Sequence, residues 1–88
     1  MAQLIPVYGD IEKIHYEGNE IALERLQELV GGYIQIVYLD NGQMLVMNED
    51  AKPINPKNEW ATRLASKFIF AGDYVAGPAV LLEQGEIS

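Results

Sequence analysis

Two apolar runs, Tyr33 to Asp40 and Gln43 to Asn48, flank an Asn41-Gly42 pair, and this arrangement constrains the fold more than any other. Both residues of the pair tolerate the positive φ that a type I′ turn needs, so the segment predicts a hairpin with a two-residue turn. That turn sets Tyr38 opposite Leu45, Val37 opposite Val46 and Ile36 opposite Met47. Alternation then puts Ile34, Ile36, Tyr38, Leu45 and Met47 on one face. The other carries Tyr33, Gln35, Val37, Leu39, Met44, Val46 and Asn48. Neither face is polar. A hairpin with one wet face alternates apolar and polar residues, so this one has to be covered on both sides. A chain of 88 residues has helices to cover one face and little left for the other. Self-association, most simply a two-fold homodimer, is the expected cover.

The rest of the chain arranges itself around that hairpin. Leu4 to Tyr8 and Ile11 to Tyr16 flank Gly9-Asp10 and read as a first hairpin, with Pro6 marking its first strand as an edge. Asn19 is a ready N-cap for a helix running through Val30, and Gly31 is a ready left-handed residue at its end. Ala22, Leu26, Leu29, Val30 and Tyr33 share the helix's apolar face, widened by Leu23, opposite Glu24, Arg25, Gln27 and Glu28. Glu49 to Lys57 is polar and proline-containing, a loop. A second helix starts at either Asn55-Pro56 or Asn58, with Trp60, Ala61, Leu64 and Phe68 on one face. Val75 to Leu82 is a last strand, and residues from about 85 read as a frayed tail. The order is β-β-α-β-β-α-β in a single domain spanning 1–88. It reads as an α+β fold with a mainly antiparallel sheet of about five strands and two helices packed on one face.

Composition narrows the function classes. Thirteen acidic residues against six basic ones give a net charge of −7, which disfavours direct binding to a phosphate backbone. There is no cysteine and one histidine, His15, which removes thiol chemistry and most zinc and triad chemistry. His15 reads as an exposed strand residue, and neither Ser66 nor Ser88 has the setting of an activated nucleophile. Asp40, Glu49, Asp50 and Asp73 could gather at one end of the sheet but lack the ligand spacing of a calcium loop. No metal, cofactor or catalytic group is expected. The N-terminus lacks a signal peptide's basic start, and no apolar run is long enough to span a bilayer, so a cytoplasmic protein without membrane contact is expected.

Binding is hinted at instead. Trp60 sits beside a polar loop holding Asn48, Glu49, Lys52 and Asn55, where it is either core or the border of a groove for a planar ligand or a partner's side chain. Lys52, Lys57, Arg63 and Lys67 bring four of the six cations between positions 52 and 67. They form either a solvated helix face or a receiver for an anion. Gly72-Asp73 and Gly77 mark either a bulged strand or a close approach of ligand to backbone.

The runs Leu26 to Gln35, Val46 to Asp50, Asn58 to Thr62 and Gly72 to Gly77, in that order, resemble small domain-of-unknown-function proteins of bacterial genomes, phages and plasmids. Their pattern is roughly LQxLVGGYI, NEEGK, NxxAT and GDxxxG. The resemblance spans about residues 20–82 and carries no established activity. It implies that Asn48, Glu49, Asn58, Ala61 and Thr62 occupy motif positions, with Ala51 where the family has glycine. It also implies a mobile-element origin, for which stoichiometric action on host machinery is the natural analogy.

The resulting expectation is an acidic, non-enzymatic binding protein that acts stoichiometrically on a host protein or a small ligand. Its candidate contacts are Asn48, Glu49, Asn58, Trp60, Thr62 and Asp73; Asn58 and Thr62 would serve equally well as helix-start residues bonded to local backbone. A nucleic-acid mimic that inhibits a DNA-processing or defence enzyme is the first alternative. A nucleotide-binding protein or small enzyme is the second.

Overall fold

The structure, a computed structural model, describes residues 1–51 and 54–87; Lys52 of the polar loop and the terminal Ser88 lie outside the described residues. Five strands and two helices follow one another as β1 (Gln3–Ile5), β2 (Glu12–Lys13), α1 (Leu23–Val30), β3 (Ile34–Tyr38), β4 (Met44–Asn48), α2 (Glu59–Ala65) and β5 (Ala79–Leu82). The sheet is antiparallel with spatial order β2-β1-β5-β4-β3, so β5 joins the two hairpins. The α+β class and the order of elements are those the sequence implies.

The central hairpin pairs one residue out of the expected register. Tyr38 faces Met44, Val37 faces Leu45 and Ile36 faces Val46. The turn is not the two-residue one: a short 3-10 segment, Asp40–Gly42, makes a three-residue loop, which Gly42 closes at φ +78°. Leu39 and Gln43 flank it, the Leu39 amide donating to the Gln43 carbonyl at 2.8 Å. A one-residue slip exchanges the faces of a whole strand. Met44 and Val46 therefore join Ile34 and Ile36, while Leu45 and Met47 join Val37.

Each face then meets a different helix, which corrects the expectation of helices on one side. On one face α1 lays Leu26 and Val30 over Met44, Val46, Val80 and Leu82, with Ile14 and Ile21 completing the cluster. On the other, Ala61 and Ala65 of α2 pack with Leu45, Met47, Ala79, Ile5 and Val75. Strand β4, between β3 and β5 and between two helices, is buried at four of its five positions. The ribbon is apolar front and back, and the chain covers its inner strand β4 by itself. The dimer inferred from an uncovered face loses that premise.

Local departures have identifiable causes. Helix α1 begins at Leu23 without a side-chain cap, so Asn19 is not its N-cap. The residues ahead of the helix are held differently: the Ile21 amide donates to the Glu86 carbonyl at 2.6 Å, and Ile21 bridges Ile87 in parallel. The same contacts correct the expected frayed tail, since Glu86 is buried and residues up to 87 are docked. Leu26 and Val30 are buried as the periodicity requires, whereas Ala22, Leu23 and Tyr33 are exposed. The first hairpin is present but shorter and in a different register: Gln3 faces Lys13 and Leu4 faces Glu12, so residues 6–11 connect the strands and Gly9-Asp10 is not the expected two-residue turn. Pro6 follows β1 instead of lying in it, and β1 pairs on both sides. The edges are β2 and β3.

Candidate functional site

The six expected contact residues fall into three places. Asn58 and Thr62 are spent on holding the chain. Asn58 is wholly buried at the start of α2, the start the chain uses, and its Oδ1 accepts from the Ala61 amide at 3.0 Å. Its Nδ2 donates to the carbonyls of Ile5 (2.9 Å) and Gly77 (3.0 Å), and its own amide donates to the Val75 carbonyl at 2.7 Å. One side chain thus caps the helix and ties it to the end of β1 and to the segment leading into β5. One turn on, the Thr62 hydroxyl accepts from the Val75 amide at 2.9 Å. Ala61, fully buried between them, lets the helix lie close to the sheet.

Asn48 and Glu49 leave β4 beside the end of α1. The Asn48 Nδ2 donates to the last helical carbonyl, that of Val30, at 3.2 Å, and its Oδ1 accepts from the Asp50 amide at 2.8 Å. Its amide lies where Gly32 would carry a side chain: a Cβ there would meet Nδ2 at 3.0 Å. The two glycines after α1 therefore have different jobs. Gly31 takes the left-handed turn at φ +84°, and Gly32 makes room for Asn48. The exposed Glu49 offers its carboxylate to solvent while its amide donates to the Tyr33 carbonyl at 2.9 Å. Asn48, Glu49 and Asp73 converge on one recess of about 90 Å³, which Gln35 and Tyr74 also line. Asp73 shapes its own loop, its Oδ1 accepting from the Tyr74 amide at 2.8 Å.

Trp60 stands apart from both. It is 49% exposed and borders an open groove of about 470 Å³ between α2 and the β1–β2 loop, with Pro6, Val7, Ile11 and Arg63. The larger opening, about 650 Å³, is at the other end of the sheet. There the edge strand β3 faces the segment Lys67 to Phe70, and Asp73 closes the groove. Among the described residues, no group of three or more His, Asp or Glu side chains gathers to hold a metal ion, and no helix is long and apolar enough to cross a membrane.

A family model for a domain of unknown function, DUF3846, matches residues 5–87. The chain belongs to that family. No curated protein and no solved structure matches it. The match takes in both helices, four strands and all three of these places.

Two features of the fold escaped the sequence reading. The Tyr16 hydroxyl donates to the Glu86 carboxylate, which also accepts from the Glu83 amide at 2.7 Å and lies 3.3 Å from the chain's amino group. Burial raises the Glu86 pKa, but the bonds from Tyr16, Glu83 and the amino group outweigh it and hold the carboxyl below its usual range. The bond to Glu86, then desolvation and the carboxylate's charge, push the Tyr16 phenol up to about 12. These residues lie 70 positions apart, and no local pattern announces such a pair. The second feature is the exposed Phe70, at 87%; Phe68 was expected on the apolar face of α2, but the helix ends at Ala65 and Phe68 lies past it, exposed like Trp60. Two aromatics just past a short helix, with Gly72 following, were the available signal.

Proposed function

We propose that this chain is a small, acidic, non-enzymatic binding protein of phage or plasmid type, working in the cytoplasm by occupying a partner protein's surface through the Trp60 groove. The observation that carries this reading is the half-exposed Trp60 beside Arg63, over an apolar floor of Pro6, Val7 and Ile11. Tryptophan and arginine are the side chains that most often anchor interfaces, and an aromatic held at a groove's rim gives up little conformational freedom on binding. The motif residues Asn58 and Thr62 contribute by fixing the pitch of α2, and with it the rim, instead of touching the partner.

The chain's sole tryptophan is its own probe. A thermal-shift panel of nucleotides and dinucleotides, read together with Trp60 emission, separates small ligands from proteins. The reading expects no shift in that panel, and capture of a protein partner that is lost in both Trp60→Ala and Arg63→Ala. A concentration-dependent shift with a nucleotide would replace it by the small-ligand alternative, with the recess of Asn48, Glu49 and Asp73 as the place to look. Capture indifferent to both substitutions would remove the groove from the account.

A second reading, mimicry of nucleic acid, draws on Glu24 and Glu28, one helical turn apart on the exposed side of α1, with Glu17 and Glu20 ahead of them. It requires binding to a DNA-processing enzyme that weakens steeply with salt.

A further inference from the structure

The two edges of the sheet are unlike. At one end β2 is two residues long, and both, Glu12 and Lys13, are charged and exposed. A short charged strand is how proteins defend an edge against pairing. At the other end β3 runs for five residues, Ile34-Gln-Ile-Val-Tyr38, with no charge, no proline and no bulge in its pairing with β4. The ladder fixes which of its backbone groups are spent. The Glu49 amide bonds the Tyr33 carbonyl and the Leu39 amide bonds the Gln43 carbonyl, so the odd-numbered residues of this stretch turn their N–H and C=O groups toward β4. Ile34, Ile36 and Tyr38 then turn theirs outward, three donors and three acceptors along an open edge.

We propose that this edge pairs with the same edge of a second copy of the chain. The two β3 strands run antiparallel about a two-fold axis at Ile36 and join two five-stranded sheets into one. Ile36 then faces Ile36 of the other copy, and Ile34 faces Tyr38 in both directions. All three are outward-turned residues, so the outward groups of both strands are satisfied at once, and the isologous contact closes on itself. Side-chain alternation is kept across the joint. Ile34, Ile36 and Tyr38 meet their counterparts on the α1 face, while Gln35 meets Val37 on the α2 face.

Charge and area favour a second copy as the occupant. A net charge of −7 opposes association in general, but the charged side chains lining this groove are one cation, Lys67, and one acid, Asp73. The groove beside the edge therefore brings no net charge to the contact. Tyr38 is 68% exposed, Phe70 87% and Phe68 39%. At roughly 150–250 Å² for each large aromatic, these rings from two copies, with the paired strands, reach the order of 1,000 Å² that a specific interface needs. The contact lies at the opposite end of the sheet from the Trp60 groove and goes beyond the partner-binding reading.

Sedimentation equilibrium tests it, supported by a cross-link that the cysteine-free chain makes clean. The wild type is expected at twice its 9.8 kDa mass in the micromolar range. Tyr38→Lys, at an exposed position that leaves the β4 ladder intact, is expected to raise the dissociation constant by at least about 100-fold with the circular dichroism spectrum unchanged. In a narrow antiparallel pair the two Cα atoms stand about 5.5 Å apart, within disulfide reach. Ile36→Cys is therefore expected to give a covalent dimer on mild oxidation, and Tyr8→Cys, exposed and far from β3, is not. A wild type still monomeric at several hundred micromolar overturns the proposal. So does a dimer indifferent to Tyr38→Lys, or one that cross-links as well through Tyr8→Cys. Loss of the dimer would leave Trp60-dependent binding as it was, so the two readings fail separately.

Discussion

Asn58 does most to hold α2 in place. Replacing it with alanine strands the Ile5 and Gly77 carbonyls and the Ala61 amide in a buried place, and should cost about 3 kcal/mol in urea denaturation. Trp60→Ala, half-exposed, should cost about 1 kcal/mol or less. If the two costs came out in the opposite order, their assigned roles would be exchanged. Gly32 offers a second contrast. Gly32→Ala should destabilise through Asn48 and not through its own backbone, so in a double-mutant cycle with Asn48→Ala its cost should shrink; additive costs would deny the contact. Titration supplies a third. Glu86 has a depressed pKa in the fold, so its contribution is present above the unfolded carboxyl's pKa, near 4.3, and is lost as pH falls through the folded value. Tyr16, raised to about 12, contributes below the unfolded phenol's pKa of about 10 and loses that contribution as pH rises to 12. Stability-versus-pH curves should flatten on the acid side in Glu86→Gln and on the alkaline side in Tyr16→Phe. Unchanged limbs would mean that the pair does not form.

Among the elements, what the sequence made legible was whatever depends on a few adjacent residues. The Gly31 stop, the apolar seam of Leu26 and Val30 and the Asn58 cap are local signals, and each is where periodicity or capping chemistry places it, whereas both hairpins form in registers that their turn residues did not indicate. The central hairpin's register was not local enough. Asn41-Gly42 supports both a two-residue turn and a three-residue loop closed by Gly42, and the choice depends on which β4 residues can be buried against which helix. That choice decided the face of every β4 side chain, and with it the apparent need for outside cover. The candidate site was legible in part. Asn48 and Glu49 share a recess with Asp73, which is distant in sequence, whereas Trp60 opens on another groove and Asn58 and Thr62 face inward. The docking of Ile21 and Glu86 against one another joins the two ends of the chain's core, and no helix-cap rule at Asn19 could have found it.

The whole molecule is a three-layer arrangement, helix on sheet on helix, that covers its inner strands β4 and β5 from both sides and leaves open surface at the sheet's two ends. At one end is Trp60 over the β1–β2 loop; at the other is the bare β3 edge with Phe70 beside it. Both the observed register and the self-pairing of β3 can be read in a single measurement, amide hydrogen exchange along residues 34–39 at low and high protein concentration. In the dilute protein the amides of Gln35, Val37 and Leu39 should be protected and those of Ile36 and Tyr38 should exchange freely. On concentration, Ile34, Ile36 and Tyr38 should become protected together. Protection that alternates the other way in dilute protein would contradict the register, and outward amides that stay open at every concentration would contradict the pairing.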